Sequence, residues 1–221
     1  MSPTLPHPLP PDVKTLISSY FQNNLWRTDL ALAWHYGLGQ AFKISLRQRP
    51  REIRGEGVGF TYGETPLAAM HRILELAQAG PDDSFLELGA GTGRFCMMAA
   101  RLVGLEATGV EQIPTFVDNA QRIASRQRLS CRFIQGDLFA QPWSEHSLLY
   151  ITPTTFTDDG LARFYEKCSE LRPGARLISL THPPQATGLV SVAMDVLDFS
   201  WGPATVFVHR MAPPGEGRVS R

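Results

Sequence analysis

The sequence lacks an apolar run of about 18 residues, the length that a membrane-spanning helix needs. Its first eleven residues are rich in proline and lack the basic start, apolar stretch and small-residue cleavage site of a signal peptide. Basic and acidic residues number 21 each, so the net charge of zero indicates no particular class of partner. These absences predict a cytoplasmic protein without a membrane partner.

Cysteine is scarce, and its spacing fits no known framework. Cys96, Cys131 and Cys168 are odd in number and show neither CxxC nor Cys/His spacing. They lie in apolar segments that are predicted to be helix or strand. We therefore expect reduced thiols in the core, with no disulfide and no bound metal.

The chain of 221 residues is long enough for one α/β domain with a modest appendage. Spaced apolar residues between positions 12 and 49 are typical of two helices, which predicts an N-terminal helical appendage over residues 1–60. A basic stripe with Arg47, Arg49 and Arg51 follows, and a solvated face is favoured there over contact with an acidic macromolecule such as nucleic acid. The main domain is predicted over residues 61–211, followed by a flexible Pro/Gly-rich tail over 212–221.

From about residue 66 onward, helix-like and strand-like segments alternate regularly. The pattern predicts helices at 66–79, after 93, at 113–126 and at 160–171, and strands at 84–88, 107–111, 131–135, 147–152 and 176–181. Such alternation is typical of a parallel sheet with helices on both faces, the Rossmann-like α/β class. Two final strands at 192–201 and 205–210, separated only by Gly202-Pro203-Ala204, predict an antiparallel hairpin.

A glycine-rich turn follows the first predicted strand. Gly89, Gly91 and Gly93 permit an unusual backbone path and the close approach of a ligand at the strand's carboxyl end. The dinucleotide-binding turn would be GxGxxG, whereas here the third glycine comes one position early and Glu87 precedes the turn. An anionic Glu87 would repel a pyrophosphate but attract the ammonium group of S-adenosylmethionine. The turn therefore favours S-adenosylmethionine over NAD.

Acidic residues also end the next two predicted strands. Glu111 could accept hydrogen bonds from both ribose hydroxyls, and Asp137 could accept the adenine amino group while Leu138 covers a face of the ring. A lone acid at a strand end is more often a helix cap or turn former. Three acids at successive strand ends, beside the glycine turn, favour a cofactor site.

The motifs ELGAGTGRF, GVEQ, QGDLF and LRPGARLIS, spread over residues 84–181, resemble those of the seven-β-strand S-adenosylmethionine-dependent methyltransferases. The Tyr62-Gly-Glu-Thr65 segment and the hairpin with Ser200-Trp201 are similar to the non-SET histone-lysine methyltransferases, the disruptor-of-telomeric-silencing type. That resemblance implies a flap over the cofactor; Thr65 before Pro66 also suits a helix cap. The residues expected to bind the cofactor are Tyr62, Glu64, Thr65, Phe85, Glu87, Gly89, Ala90, Gly91, Thr92, Gly93, Arg94, Glu111, Gln112, Asp137 and Leu138.

The acceptor region departs from the histone-lysine type. Ile151-Thr-Pro-Thr-Thr-Phe156 stands where that family has an asparagine-bearing loop, and Val206-Phe207 stands in place of a tyrosine pair. The resemblance therefore implies a protein lysine outside histones as the acceptor. The residues expected beside the reacting methyl group are Tyr62, Thr65, Thr152 and Phe156. Trp201 and Phe207 are further candidates, with core packing as the alternative.

Two other functions remain open at this stage. One is a small-molecule methyltransferase in which the N-terminal helices act as a lid over the acceptor pocket. The other is a catalytically inactive module that keeps the cofactor fold and binds a partner through its basic stripe.

Overall fold

The computed structural model of the protein describes residues 12–37, 40–48 and 63–213. Its helices are α1 (Val13–Gln22), α2 (Leu25–Tyr36), α3 (Gln40–Gln48), α4 (Leu67–Leu76), α5 (Arg94–Val103), α6 (Pro114–Arg126) and α7 (Asp158–Cys168). Its strands are β1 (Ser84–Leu88), β2 (Glu106–Glu111), β3 (Cys131–Gln135), β4 (Leu148–Ile151), β5 (Arg176–Leu180), β6 (Leu189–Phe199) and β7 (Gly202–Met211). Short 3-10 turns span 138–140, 143–145 and 153–155.

Some predictions fall on residues outside these ranges. They include the flap residue Tyr62, the basic residues Arg49 and Arg51, and most of the expected tail. The expected boundary between residues 60 and 61 lies there as well, so the division into domains stays a prediction.

The seven strands form one sheet in the order β3-β2-β1-β4-β5-β7-β6. The first five are parallel, and β7 runs antiparallel to both β5 and β6. This arrangement confirms the predicted Rossmann-like sheet with a C-terminal hairpin. The carboxyl ends of the central strands β1, β2 and β4 meet at one edge, where ligands bind in open α/β sheets.

Helices cover both faces of the sheet, which explains why the central strands are apolar on both sides. All four residues of β4 are buried, as are four of the five in β1. One core layer lies under α2, α4, α5 and α6, and a second lies under α7 and the turn around Trp143. The free thiols of Cys96 and Cys168 are buried and that of Cys131 is half-buried, as predicted.

The hairpin is present, but its turn lies earlier than predicted. Residues Ser200 and Trp201 form the turn, and Gly202-Pro203-Ala204 belongs to β7, where Pro203 pairs with Asp198. β5 pairs only with residues 206–210 of β7, so on that side of the strand no ladder hydrogen bond requires the N–H that Pro203 lacks.

The N-terminal region contains three helices in its described residues, where two were predicted. Asn24 adopts a left-handed conformation (φ 54°) between α1 and α2, and Gly37 (φ 57°) ends α2. One face of α2, with Leu25, Thr28 and Leu32, is buried. No helix among the described residues is long and apolar enough to cross a bilayer.

Candidate functional site

A cleft lies at the carboxyl ends of β1, β2 and β4 and is also lined by residues 63–65 and by Trp201 of the hairpin turn. Its walls combine backbone of the glycine turn, carboxylates and aromatic rings. The residues that line it are Ser45, Gly63, Glu64, Thr65, Met70, Glu87, Leu88, Gly89, Ala90, Gly91, Thr92, Arg94, Phe95, Glu111, Ile113, Phe116, Leu138, Tyr150, Thr152, Thr155, Phe156 and Trp201.

The glycine turn forms the floor of the cleft. Gly89, Gly91 and Gly93 have positive φ angles of 87°, 53° and 75°, and Gly93 is the N-cap residue of α5. Residues with a side chain disfavour positive φ angles, which explains why glycine occupies these three positions. The amide groups of Gly89 and Ala90 both donate to the carbonyl of Val110, which ties the turn to the end of β2.

Glu111 organises the edge of the cleft through its carboxylate. One oxygen accepts hydrogen bonds from the amides of Gln112 (2.8 Å) and Ile113 (2.9 Å), and the other accepts one from the amide of Gly91 (2.8 Å). Burial raises the pKa of this carboxyl, while the three amide donors oppose the shift. A carboxylate offers about four acceptor positions, so about one remains for a ligand instead of the expected two.

The side chain of Glu87 is more deeply buried than expected for a residue predicted to contact the cofactor. Its carboxyl group is buried beneath the first turn of α5, where it accepts a hydrogen bond of 3.0 Å from the amide of Cys96. Burial raises the pKa of Glu87 to about 8, although the hydrogen bonds from Cys96 act in the opposite direction. At neutral pH the group is therefore mainly protonated, which differs from the anion expected from the sequence.

This raised pKa makes stability depend on pH in a defined direction. The unfolded chain ionises Glu87 near its ordinary value of 4.5, whereas the folded protein keeps the proton until the pH approaches about 8. The stability that Glu87 contributes is thus fully present below the unfolded pKa and is lost as the pH rises through the folded pKa. Between pH 4.5 and about 8 we expect the free energy of unfolding to fall by about 2–5 kcal/mol.

Denaturant unfolding of the Glu87→Gln variant across this pH range tests the expectation. Glutamine keeps an acceptor for the Cys96 amide but cannot ionise, so the pH dependence should flatten. Glu106→Gln, at an exposed carboxylate of β2, is the matched control and should keep the wild-type slope. Parallel pH profiles of Glu87→Gln and the wild type would contradict the assignment.

The flap, which we define as residues 63–65, is held on both sides. The hydroxyl groups of Thr65 and Tyr150 form a buried hydrogen bond of 3.0 Å, so Thr65 is not the side-chain cap of α4. At the other end, the Trp201 ring occupies the space into which a side chain at position 63 would project. The Glu64 amide donates to the Ser200 hydroxyl (3.3 Å), which fixes the flap to the hairpin turn.

Arg94 joins the glycine turn to the N-terminal helices. Its guanidinium donates to both carboxylate oxygens of Asp29 in α2, at 2.7 and 3.2 Å, and to the carbonyl of Thr65 at 3.1 Å. Asp29 is further bound by the Tyr20 hydroxyl (3.0 Å) of α1. One cation therefore positions two helices and the flap around the cleft.

The structure brings together most of the predicted site residues that it describes, though not all. Among those predicted to contact a cofactor, the residues lining the cleft are Glu64, Thr65, Glu87, Gly89, Ala90, Gly91, Thr92, Arg94, Glu111 and Leu138. Thr152, Phe156 and Trp201 also line it.

Five predicted residues are outside the set that lines the cleft: Phe85, Gly93, Gln112, Asp137 and Phe207. Phe85 is buried and packs against Phe95 with ring centroids 5.5 Å apart. Asp137 accepts from the amide of Phe139 (2.9 Å) and pairs with Arg163 (3.0 Å), so its carboxylate acts as a turn former and ion-pair partner.

Sequence reasoning missed several residues that shape the cleft, notably Tyr150, Asp29 and Ser45. Tyr150 had a detectable signal, because it lies two positions before Thr152 in a predicted strand and so faces the same side. Burial raises its pKa, which keeps the hydroxyl protonated. Asp29 and Ser45 had no such signal, because their contacts depend on how the N-terminal helices pack against the sheet.

A second pocket borders the cleft on the side of the N-terminal helices. It shares Gly63, Glu64, Thr92 and Arg94 with the cleft. The other residues that line it are Asp29, Leu32, Ala33, Tyr36, Gly37, Ala41, Phe42 and Ser200. The flap thus separates two adjoining spaces.

The chain is similar in sequence to known methyltransferases. A family profile described as "Methyltransferase domain" matches residues 85–174. A protein-lysine N-methyltransferase of Saccharolobus islandicus is 31% identical over 123 residues, which cover 53% of this chain and 74% of that protein. A demethylmenaquinone methyltransferase of Deinococcus radiodurans is 33% identical over 111 residues, 47% of this chain. The chain spans only 45% of the length of this second relative.

The structural comparison agrees with the sequence relatives. An RNA methyltransferase from Salinibacter ruber, solved in complex with S-adenosyl-L-homocysteine, superposes with a TM-score of 0.55 and 26% sequence identity. The superposition covers 67% of this chain and 94% of that one. All three relatives are named as methyltransferases, but they differ in the acceptors that their names give.

Proposed function

The chain belongs to the class I S-adenosylmethionine-dependent methyltransferases, and we propose that the acceptor of its methyl group is a protein lysine amine. The observation that carries this proposal is the chemistry of the flap end of the cleft. Hydroxyl groups and aromatic rings surround the space there, and one exposed carboxylate, that of Glu64, lies on the flap.

The residues of the cleft fit S-adenosylmethionine. The glycine turn at Gly89 and Gly91 presents backbone without side chains, so a ligand can approach it closely. The remaining acceptor position of Glu111 suits one ribose hydroxyl. Ile113 and Leu138 offer apolar contacts for the adenine ring at the same end. These residues are proposed as the cofactor site.

When bound, S-adenosylmethionine supplies a methyl group on a sulfonium sulfur that is already a good leaving group. The protein then has to orient the acceptor and exclude water. Thr65, Thr152, Phe156 and Trp201 line the cleft, and the Trp201 ring packs against Gly63 of the flap. We assign orientation of the acceptor to these side chains.

An amine acceptor agrees with the titratable groups in the cleft. Its described lining residues include no histidine, lysine or cysteine. The carboxyl of Glu87 is bonded beneath α5, and that of Glu111 is occupied by three backbone amides. Among the described residues that line the cleft, this leaves the exposed Glu64 as the one carboxylate that could act as a base, whereas a carbon or hydroxyl acceptor generally needs a base positioned in the enzyme. An amine brings its own lone pair once its proton has left for water, which apolar surroundings favour.

The charge on the flap gives a second reason. The exposed Glu64 carboxylate attracts a cationic lysine side chain toward the cleft before deprotonation. The relative from S. islandicus, whose name gives protein lysine as its acceptor, supports the same class.

Incubating the purified protein with methyl-labelled cofactor and a fractionated cell lysate tests the proposal. We expect label in the protein fraction, resistance of that label to ribonuclease, and its loss when lysine amines are acetylated beforehand. The Glu111→Ala variant serves as the control, because it removes a proposed cofactor contact and the three amide interactions that shape the turn. It should transfer little label.

Other outcomes would overturn the lysine assignment. Label in the lipid or small-molecule fraction indicates a small-molecule acceptor, and label that ribonuclease removes indicates RNA. Protein label that persists after lysine acetylation indicates a different side chain.

A further inference from the structure

Large apolar side chains are exposed on each of the three N-terminal helices. We refer to these eight residues collectively as the helical apolar surface: Val13, Ile17, Phe21, Trp26, Leu30, Trp34, Phe42 and Leu46. Trp34 is 85% exposed and Leu30 62%. Single exposed apolar residues need no explanation, but eight within three short helices do.

The spacing shows that these residues form stripes. Members on the same helix are four positions apart, for example Trp26, Leu30 and Trp34 on α2, so they share one face. The opposite face of α2, with Leu25 and Leu32, is the one buried against the sheet domain. The helical apolar surface is therefore additional to the face that the fold requires.

The charges beside these stripes are mostly of one sign. Lys14, Arg27, Lys43 and Arg47 are exposed on the three helices. The acidic residue within the helices is Asp29, whose carboxylate is bound by Arg94. The chain as a whole has no net charge, so this excess of positive charge is a local property.

We propose that α1, α2 and α3 dock the protein onto an anionic lipid bilayer through the helical apolar surface. Helices that lie in a bilayer interface combine tryptophan, phenylalanine and leucine on one face with lysine and arginine at its borders. The four basic side chains complement anionic headgroups, whereas a second copy of the same surface would repel them. This complementarity selects a membrane over a homodimer as the occupant.

Such docking needs no spanning helix, so it agrees with the absence of one among the described residues. It does depart from the sequence-based expectation of no membrane partner, which considered only spanning segments. Ser45 of α3 lines the cleft and Phe42 lines the adjoining pocket. A docked protein would therefore hold its cleft close to the lipid surface, whatever its acceptor is.

Co-sedimentation with lipid vesicles tests the proposal with the full chain. We expect binding to vesicles of equal parts phosphatidylglycerol and phosphatidylcholine, weaker binding to phosphatidylcholine alone, and a loss of binding as salt is raised. A variant with Leu30→Ser and Trp34→Ser should bind anionic vesicles at least about tenfold more weakly, because both side chains lose apolar area that would be buried. Both side chains are exposed, so the melting temperature should not change.

The matched control replaces exposed apolar residues elsewhere, Met194→Ser with Val196→Ser on β6. It should bind vesicles like the wild type. Absence of vesicle binding by the wild type would overturn the proposal, as would equal binding by both double variants. A concentration-dependent dimer that disappears in the Leu30 and Trp34 variant would overturn it in favour of self-association. Methyl transfer in solution is a separate readout, so failure here leaves the lysine test unaffected.

Discussion

Replacing Gly93 with alanine is expected to destabilise the protein by about 2–5 kcal/mol. The backbone at Gly93 has φ 75°, which costs about 1–2 kcal/mol for a residue with a side chain. A Cβ atom there would also lie 2.5 Å from Cε1 of Phe133 and 2.8 Å from Cβ of Ala120. Both neighbours are buried, so the shifts needed to remove these short contacts add about 1–3 kcal/mol to the loss of stability.

Gly174→Ala is the matched control, because Gly174 has a similar φ of 84° but no neighbouring atom within 4 Å of the position that a Cβ atom would occupy. It should show the backbone cost alone, about 1–2 kcal/mol. Denaturant unfolding of both variants measures the difference. Equal losses of stability would show that packing against Phe133 does not restrict position 93.

Replacing Trp201 with alanine is expected to lower the rate of methyl transfer by as much as about a hundredfold. The Trp201 ring packs against Gly63, so the flap loses one of the contacts that hold it beside the cleft. Cofactor affinity should change far less, because the glycine turn and Glu111 lie on other elements. Trp201 is 41% exposed but stacks on Phe199 with ring centroids 4.9 Å apart, so its loss should also lower stability, by about 1–3 kcal/mol.

Single-turnover rates, cofactor Kd and melting temperature measured on one preparation separate these effects. Met194→Ala, an exposed side chain of the same hairpin, is the control and should leave all three unchanged. A Trp201→Ala variant with normal turnover, or one whose loss lies entirely in cofactor affinity, would remove the flap from the acceptor side of the reaction.

The parallel sheet could be predicted because its signals are local. Buried strands such as β1 are short apolar runs, and glycines or acidic residues follow them directly. The bounds of β1 and β3 agree with the prediction to the residue. The hairpin turn was predicted at Gly202-Pro203-Ala204, because Gly-Pro is a strong turn signal. In the structure Ser200 and Trp201 form the turn, and Gly202 and Pro203 lie in β7, where they pair with β6 but not with β5.

The cleft was predictable to the extent that its residues belong to strand ends. Glu111 was located correctly, but its three amide partners appear only when the chain has turned back on itself. The charge of Glu87 depends on burial under α5, which local sequence does not reveal. The partner of Arg94 lies 65 positions away in a helix whose end was itself uncertain.

The contact between Arg94 and Asp29 also bears on how separable the parts of this chain are. A parallel sheet with a glycine-rich turn can be regarded as a general domain to which different substrate-recognition segments are attached. Here the residue that begins the helix after the turn is neutralised by an acid from the attached segment, and it also grips the carbonyl of Thr65. Exchanging residues 13–48 for the equivalent of another enzyme would leave a half-buried cation without its counter-charge, at the point where the flap is fastened. A chimera built on this sheet would need a donor segment with an acid in the place of Asp29, so the two parts can be exchanged only as a matched pair.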